Sequence, residues 1–439
     1  MHNSDLSQGL RIGIGFVNNA NMAFSYAYGL SVCGASATCY LIGRHPFNYP
    51  QPRGVDVRQY STPADAYSDI LKSGIDVFIN LASTGGSPIQ LEGFYNSLKH
   101  KNIKLMSIHL GSDSRLSCIS DTIYYIRTLL PRNFEPYSQM MALDVELRAE
   151  YVKLSDIYSD MILDNPFSWH LHKKSFINFH YIGIPSVEYN SNKPSHVLIT
   201  GFQDKTDWTN KPLVIGHIPS NPLSKGTREI QAVLDSIERS SKLKLIRNIP
   251  NRKISNSEVI SRLDAIDIYI DQIYSDMPVS ASAMEAMSRG KPTIVLGNYL
   301  EYKHEWACDN NCYGSITGRP EELEQILTRI GEDLTSASYR LATASSMLRC
   351  LNYYSMSNSG RRLLGLLQCI VDGTRAGNKQ NKEYPWISPE ESNKIEVSFH
   401  PLSLFQRLAS QRFYQRSLDK LMELGHHRAA SALESLLRR

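Results

Sequence analysis

GHIPSNPLSKGTREI, residues 216–230, joins the end of an apolar strand to the start of a helix. The loop between them is polar, carries two prolines and ends in a lone lysine and a glycine, Lys225 and Gly226. Prolines and polar residues interrupt regular structure, so the stretch predicts a strand–loop–helix unit whose helix begins near Thr227. Repetition of such units is typical of an α/β domain.

The same unit recurs along both halves of the chain. Predicted strands lie at 11–16, 37–42, 75–80, 104–110, 196–200, 212–218, 243–249, 266–271 and 292–296. Predicted helices include 22–32, 227–240, 255–265, 280–289 and 320–330. Short, nearly continuous apolar runs are typical of parallel strands buried on both faces. We therefore expect an α/β protein with two doubly wound Rossmann-like domains facing a cleft, 1–192 and 193–373, followed by a linker and helical tail at 374–439.

Composition excludes several classes of protein. The 439 residues are 42% hydrophobic and 21% charged, which is ordinary for a globular chain. The 47 basic and 43 acidic residues nearly balance at a net charge of +4, so no nucleic-acid partner is expected. The sequence contains no run of about eighteen apolar residues, which is the length that a membrane-spanning helix requires.

The seven cysteines suggest a reducing compartment. Their number is odd, and the polar N-terminus MHNSDLSQG lacks the apolar core of a secretion signal, so we expect a cytoplasmic protein with free thiols. Only Cys308 and Cys312 are close in sequence, and no second pair accompanies them. We therefore expect no metal site.

Lys225 is the first candidate for ligand binding. The start of a helix exposes unpaired backbone N–H groups and the positive end of the helix dipole, and a lysine beside it adds a full positive charge. Gly226 allows the backbone to approach a ligand closely. The sequence thus indicates a phosphate site in this loop, and the alternative is an ordinary surface lysine in a turn.

Glu285 is the second candidate. It lies in a short helix of small and apolar residues, where a carboxylate is costly unless donors satisfy it. The two hydroxyls of a ribose could bind such a carboxylate, and the hydroxyls of Ser280 and Ser282 could hold a phosphate nearby. The alternative is a carboxylate satisfied by a backbone turn or by Lys291.

Three segments together resemble a known family. IGHIPSNPLSKGT, IDIYIDQ and MEAMSRGKPTIV are similar, in order and spacing, to the donor domain of GT-B-fold glycosyltransferases of the large retaining family 4 group. The resemblance covers about residues 212–330. It implies a nucleotide-sugar donor, here a UDP-sugar, and no cofactor or metal. It also implies that Lys225 binds the diphosphate and that Glu285 binds the ribose.

The chain departs from that family at two positions. Met277 stands where many members have an earlier glutamate, and His217 stands where many have an arginine. These changes leave open an altered donor site, with His217 and Ser220 of the same loop as donor contacts. Ile254 is placed near the nucleotide base by topology alone.

The N-terminal half supplies the predicted acceptor side. SIHLGSDSR, residues 107–115, resembles a strand-end segment of bacterial members, which implies that His109 and Asp113 reach the cleft as catalytic residues. Asp113 would be the base of an inverting enzyme. Gly15 and Asn19, in the first loop, would lie near the diphosphate. The plain alternatives are a core histidine at 109 and a turn residue at 113.

The leading interpretation is therefore a glycosyltransferase that moves a sugar from a nucleotide-diphosphate sugar to a glycan, lipid-linked or polysaccharide acceptor, with retention. A sugar epimerase of the same fold and a catalytically silent member that acts as a binding or scaffold subunit are the alternatives. The basic helical tail is expected either to pack on the body or to contact a partner or an anionic membrane surface.

Overall fold

The structure is a computed structural model that describes most of the chain. The described residues are 9–44, 47, 49–82, 85–110, 150–165, 172–185, 212–220, 222, 225–240, 244–252, 254–275, 277–297, 313–333, 336–373 and 384–387. The strands are β1 (Arg11–Phe16), β2 (Ser36–Ile42), β3 (Asp56–Tyr60), β4 (Val77–Leu81), β5 (Lys104–Ile108), β6 (Met161–Asp164), β7 (Phe176–Asn178), β8 (Leu213–Gly216), β9 (Leu245–Asn248), β10 (Ile268–Ser275), β11 (Thr293–Gly297), β12 (Ile316–Gly318) and β13 (Trp386–Ile387).

Helices connect and follow these strands. They are α1 (Met22–Val32), α2 (Pro63–Lys72), α3 (Pro88–His100), α4 (Thr227–Arg239), α5 (Asn256–Asp264), α6 (Ala281–Ser288), α7 (Leu323–Asp333), α8 (Ala337–Tyr353) and α9 (Met356–Val371). Residues 150–158 are also helical. No helix among the described residues has both the length and the low polarity that crossing a membrane requires.

The strands form two sheets. The eight-stranded sheet has the order β13-β7-β6-β5-β4-β1-β2-β3, and the five-stranded sheet has the order β12-β11-β10-β8-β9. The pairs β1–β4 and β8–β10 are parallel, and β13 pairs antiparallel with β7. Strands such as β4, VFINL, are buried at every residue, as a parallel strand covered on both faces must be. The predicted α/β class with two parallel sheets is confirmed.

Each sheet has one point at which the strand order reverses. In the eight-stranded sheet the chain proceeds from β1 to β3 in one direction and then continues with β4 on the other side of β1. In the five-stranded sheet β9 follows β8 on one side, and β10 lies on the other side of β8. Open parallel sheets bind ligands outside the carboxyl ends of the strands at such switch points. The loop that follows β8, at the β8–β10 switch point, is therefore an expected position for a bound ligand.

The contacts divide the chain into two compact units that interleave in sequence. One contains Asn18–Arg58 and Ile182–Leu366, and the other contains Arg11–Val17, Gln59–Tyr181 and the segment from Leu367 onward. The boundary predicted at 192 lies outside the described residues. The two predicted tail helices, at about 401–424 and 427–438, lie outside them as well.

The segment 384–387 was placed in a linker by the sequence, but the structure gives it regular pairing. Trp386 and Ile387 form β13, with Trp386 opposite Ile177 of β7. The polar, proline-bearing composition around this strand hid a two-residue pairing, because such a short strand leaves no alternating pattern in a sequence.

Two glycines let α1 and α9 approach closely. A Cβ on Gly29 would lie 2.1 Å from the carbonyl oxygen of Met356, and a Cβ on Gly360 would lie 2.3 Å from the carbonyl carbon of Gly29. Atoms cannot approach to these distances, so glycine is required at both positions. The contact fastens α1 to the last long helix of the described chain.

Candidate functional site

Two segments meet at the switch point of the five-stranded sheet. The loop after β8 carries Lys225 and leads into α4, and the adjacent β10 carries Asp271. Helix α6 follows β10 and begins beside both residues, because Ser282 in its first turn bonds to each of them. The strand order therefore brings together a cation, an anion and a helix N-terminus that are far apart in sequence.

Lys225 and Asp271 form a buried ion pair. The ammonium nitrogen of Lys225 lies 2.6 Å from Oδ1 of Asp271, and the two side chains are 13% and 0% exposed. The Ser282 hydroxyl donates to the same Oδ1 at 2.6 Å, and Lys225 donates to the Ser282 oxygen at 3.3 Å. Burial raises the pKa of Asp271, but the Lys225 charge and the donors around the carboxylate lower it below its ordinary value. The carboxylate is therefore ionised at neutral pH.

Sequence reasoning missed Asp271 as a partner of Lys225. The sequence placed it only at the end of a buried run, IDIYID, and the available signal was a carboxylate that follows a largely apolar strand. A buried charge of this kind requires a partner from elsewhere in the chain. The partner is identified only once β8 and β10 are known to be neighbours.

Backbone hydrogen bonds also hold Lys225 in its position. Gly226 precedes α4 in the left-handed conformation, with φ at 74°, which favours glycine there. The amide of Thr227 donates to the carbonyl of Pro222 at 2.9 Å, and the amide of Ile273 donates to the carbonyl of Lys225 at 3.3 Å. Lys225 is thus tied to the side of β10, and the simple surface-turn interpretation does not describe it.

His217 is a structural residue in this geometry. It is fully buried, and its Nδ1 lies 2.9 Å from the carbonyl oxygen of Ile270 while its Nε2 lies 2.8 Å from the Thr227 hydroxyl. A carbonyl oxygen only accepts, so Nδ1 donates to it, and in the neutral ring Nε2 accepts from the Thr227 hydroxyl. Burial, together with the nearby Lys225 charge, lowers the pKa of His217 to about 4. The ring cannot replace the arginine charge of the resembled family.

The start of α6 uses the predicted serine ligands in its own capping. The Ser280 hydroxyl oxygen accepts from the amide of Ala283 at 3.2 Å, which is an N-cap bond, and lies 3.1 Å from the Ser282 oxygen. The two hydroxyls therefore form a chain from the helix cap to Asp271. Their predicted role in donor binding stays a prediction.

Glu285 lies one turn into α6 and is held by a single amide. The Asn256 side-chain nitrogen, from the first turn of α5, donates to its Oε1 at 3.0 Å. Burial raises the pKa of Glu285, and the Asn256 bond and the Arg289 charge offset part of that rise. The neighbour proposed from sequence, Lys291, instead donates to the backbone carbonyls of Asp264 and Ile266.

Other predicted donor contacts occupy varied environments. Ile254 is 8% exposed and belongs to a core cluster with Ile218 and Tyr269, so it offers little surface to a nucleotide base. Ser220 is exposed. Gly15 is buried in β1 opposite Asn80, and Asn19 begins the 3-10 helix Asn19–Asn21.

His109 lies directly after β5 and is completely buried. Its amide donates to the carbonyl of Leu163 at 2.9 Å, and its ring centre lies 5.7 Å from that of His172. Burial agrees with a histidine of the core. Asp113 and the rest of its predicted strand-end segment lie outside the described residues.

A carboxylate–imidazole–carboxylate chain adjoins His109. Nδ1 of His172 lies 2.8 Å from Oδ1 of Asp156, and its Nε2 lies 2.9 Å from Oδ2 of Asp164. Burial alone lowers the pKa of His172, but the two carboxylates more than offset this and raise it to about 9. The ring is therefore a buried cation.

This cluster has the residue types of a metal site, but the protonation state of His172 is not that of a metal ligand. One ligand atom from each of His109, Asp164 and His172 falls within 4.8 Å of the others. Both nitrogens of the His172 ring, however, donate to carboxylates, whereas a metal requires a deprotonated nitrogen. This cluster was not predicted from the sequence, because its members come from separate segments.

Comparisons with known proteins complete the description. The sequence matches no family model and no curated protein. The structure is similar to the crystal structure of Anabaena Alr3699/HepE in complex with UDP-glucose, at 12% identity over 81% of this chain and 98% of that chain, with a TM-score of 0.44.

Two further solved structures resemble the chain. One is LpCGTa in complex with UDP, at 12% identity over 82% of this chain and 99% of that chain, with a TM-score of 0.41. The other is a ugt transferase from Siraitia grosvenorii in complex with UDP, at 10% identity over 82% and 100%, with a TM-score of 0.39. At such identities most side chains differ, and the roles of this chain's residues follow from their own contacts.

Proposed function

We propose that the protein is a glycosyltransferase of the GT-B type, which binds a nucleoside-diphosphate sugar at the carboxyl edge of its five-stranded sheet. One observation carries the proposal. The ammonium of Lys225, the hydroxyl of Ser282 and the N-terminus of α6 lie together at a switch point, and the carboxylate of Glu285 lies one turn further along the same helix.

The donors suit a diphosphate. An ammonium group has three N–H donors, and within the described part of the chain Lys225 uses two of them, on Asp271 and Ser282, so one can serve a phosphate oxygen. When a sugar leaves, negative charge develops on the diphosphate, and fixed donors that meet this charge lower the barrier. The dipole of α6 acts in the same direction.

Glu285 suits a ribose. Asn256 donates to Oε1 and fixes the orientation of the carboxylate, and a carboxylate has room for further hydroxyl donors. Partial burial excludes competing water, which makes hydrogen bonds from a diol to the carboxylate more favourable. The resemblance of the three donor-domain segments supports a UDP-sugar and retention of configuration.

The part of the proposal that concerns the acceptor is based on the sequence alone. We propose a glycan, lipid-linked or polysaccharide acceptor, with His109 and Asp113 as the residues nearest the reaction, and a cytoplasmic location. The chemistry needs no metal in this proposal, since Lys225 and α6 supply the positive charge.

Calorimetric titration with UDP tests the proposal. Lys225→Ala should weaken UDP binding about tenfold or more, since a hydrogen bond to a charged group contributes roughly 1.5–3 kcal/mol. Lys99→Ala, which removes an exposed lysine from the end of α3, is the matched control and should leave the affinity unchanged.

Release of UDP from a panel of UDP-sugars is the second measurement. The unaltered protein should release UDP, and Lys225→Ala should release it far more slowly. If neither binding nor release of any nucleoside diphosphate is measurable, the scaffold interpretation replaces the enzyme.

A further inference from the structure

We infer that Asp271 is a resident counter-ion of Lys225, which neutralises the lysine in the empty site and thereby limits the affinity for the diphosphate. The inference rests on the proposed function and assigns a regulatory residue to the same site. It concerns a position that neither the phosphate nor the ribose role includes.

The Lys225 ammonium already has a counter-ion within the protein when no ligand is bound. Its ammonium already contacts a carboxylate at 2.6 Å, and that carboxylate is completely buried and also accepts from Ser282. Removing two charges from water is costly, and each is tolerated because the other is present. In the empty site the lysine is therefore oriented by Asp271.

Carboxylates offset the charge of Lys225 at this site. Among the described residues at the switch point, Lys225 is opposed by Asp271, and Glu285 adds a second carboxylate on α6. Arg289 pairs with Asp264 at 2.5 Å, and His217 is neutral. A diphosphate consequently shares Lys225 with Asp271 and is repelled by its charge.

The counter-ion also affects how readily the product diphosphate leaves the site. The donor and the released diphosphate both carry the phosphates that contact Lys225, so strong binding of one brings strong binding of the other. Binding energy that is equal in the ground state and the transition state does not raise the rate. A resident carboxylate keeps Lys225 in place for the reaction and favours departure of the product.

Asp271→Asn tests the inference, because it removes the charge and retains the shape and an oxygen for Lys225 and Ser282. The empty variant should melt at a lower temperature, since Lys225 loses its counter-ion. Its dissociation constant for UDP should fall about tenfold, which corresponds to about 1.4 kcal/mol, because the diphosphate no longer shares Lys225 with a charged Asp271. In the Lys225→Ala background the substitution should give no such gain.

Asp267→Asn is the matched control. Asp267 is a nearly buried carboxylate just before the same strand, and it accepts from the amide of Val214 at 2.9 Å. It lies at the amino end of β10, four residues before Asp271, so its replacement should lower stability and leave the UDP dissociation constant unchanged.

The outcomes separate the two proposals. If the unaltered protein binds UDP and Asp271→Asn binds it equally or more weakly, the counter-ion inference is overturned and the proposed function stands. If neither protein binds a nucleoside diphosphate, both are overturned.

A measurement on the unaltered protein covers the case in which Asp271→Asn does not fold. Proton–nitrogen spectra of the lysine ammonium groups should show a slowly exchanging Lys225 signal in the UDP-free protein, absent from Lys225→Arg. A Lys225 signal that emerges only after UDP is added would overturn the inference.

Discussion

The side-chain amide of Asn256 lies 3.0 Å from Oε1 of Glu285 and joins the first turn of α5 to the middle of α6. The bond is the largest influence that opposes the effect of burial on the Glu285 carboxyl. Loss of this bond would therefore raise the pKa of Glu285 further, and the ionised carboxylate is the stronger acceptor for a ribose hydroxyl.

Removal of Asn256 should make UDP binding more sensitive to acid. The pKa of Glu285 is raised by burial, so UDP affinity should fall as the pH drops through that raised value. In Asn256→Ala the fall should begin at a higher pH, because the opposing hydrogen bond is gone. Calorimetric titrations with UDP across the acidic range measure the shift, and Glu285→Gln should remove the dependence. The same midpoint in Asn256→Ala and the unaltered protein would argue against it.

His217 should contribute to folding through its neutral ring. Its pKa is lowered by burial to about 4, while an unfolded histidine titrates near 6.5, so the unfolded chain binds more protons between these values. The contribution is therefore complete above about pH 6.5 and is lost as the pH falls toward 4. His217→Gln should lower the free energy of unfolding at pH 7 and flatten this acid slope. Urea unfolding at several pH values provides the measurement, and an unchanged slope would contradict the assignment.

His172 should show the opposite dependence. Its pKa is raised to about 9 by two carboxylates, so its contribution is complete below about pH 6.5 and is lost as the pH rises through 9. His172→Gln should be less stable at pH 6.5 by on the order of 1–3 kcal/mol and should lack the alkaline slope. His100→Gln, at the exposed end of α3, is the control and should retain it. Equal slopes in the two variants would show that the ring is not charged.

Gly29→Ala should disrupt the contact between α1 and α9. The new Cβ would lie 2.1 Å from the Met356 carbonyl oxygen, so the two helices must separate, and a loss of at least about 1–3 kcal/mol is expected. Gly365→Ala is a matched control in α9, because its Cβ meets nothing within 4 Å. Alanine there should be neutral or stabilise the helix by about 0.5–1 kcal/mol. Thermal unfolding compares the two, and equal melting temperatures would contradict the close contact.

Much of the fold was accessible from sequence because several buried strands are nearly continuous apolar runs. Segments such as VFINL and KLMSI are apolar enough to be recognised singly, and the amphipathic spacing of Ile230, Leu234 and Ile237 marks the buried face of α4. Strand pairing could not be predicted in this way, since no local sequence pattern shows which strands are neighbours in a sheet. The sheet order, and with it the switch point, came only from the structure.

The candidate site was predicted in part for the same reason. Lys225 and Glu285 stand out locally, one in a glycine-containing loop and the other in an apolar helix. Asp271 and Asn256 became visible only through contacts 46 and 29 residues away in sequence. The sequence also does not show that both nitrogens of His217 have partners inside the protein, and its role as a donor contact stays a prediction.

The first strand and the last described strand, β1 and β13, lie in the same sheet. During synthesis, the sheet that contains β1 therefore stays incomplete until position 387 has left the ribosome. Termination before Trp386 would leave the β7 edge uncovered and open to pairing with another chain. Completion of the eight-stranded sheet thus depends on two segments, Arg11–Phe16 and Trp386–Ile387, that are translated far apart in time.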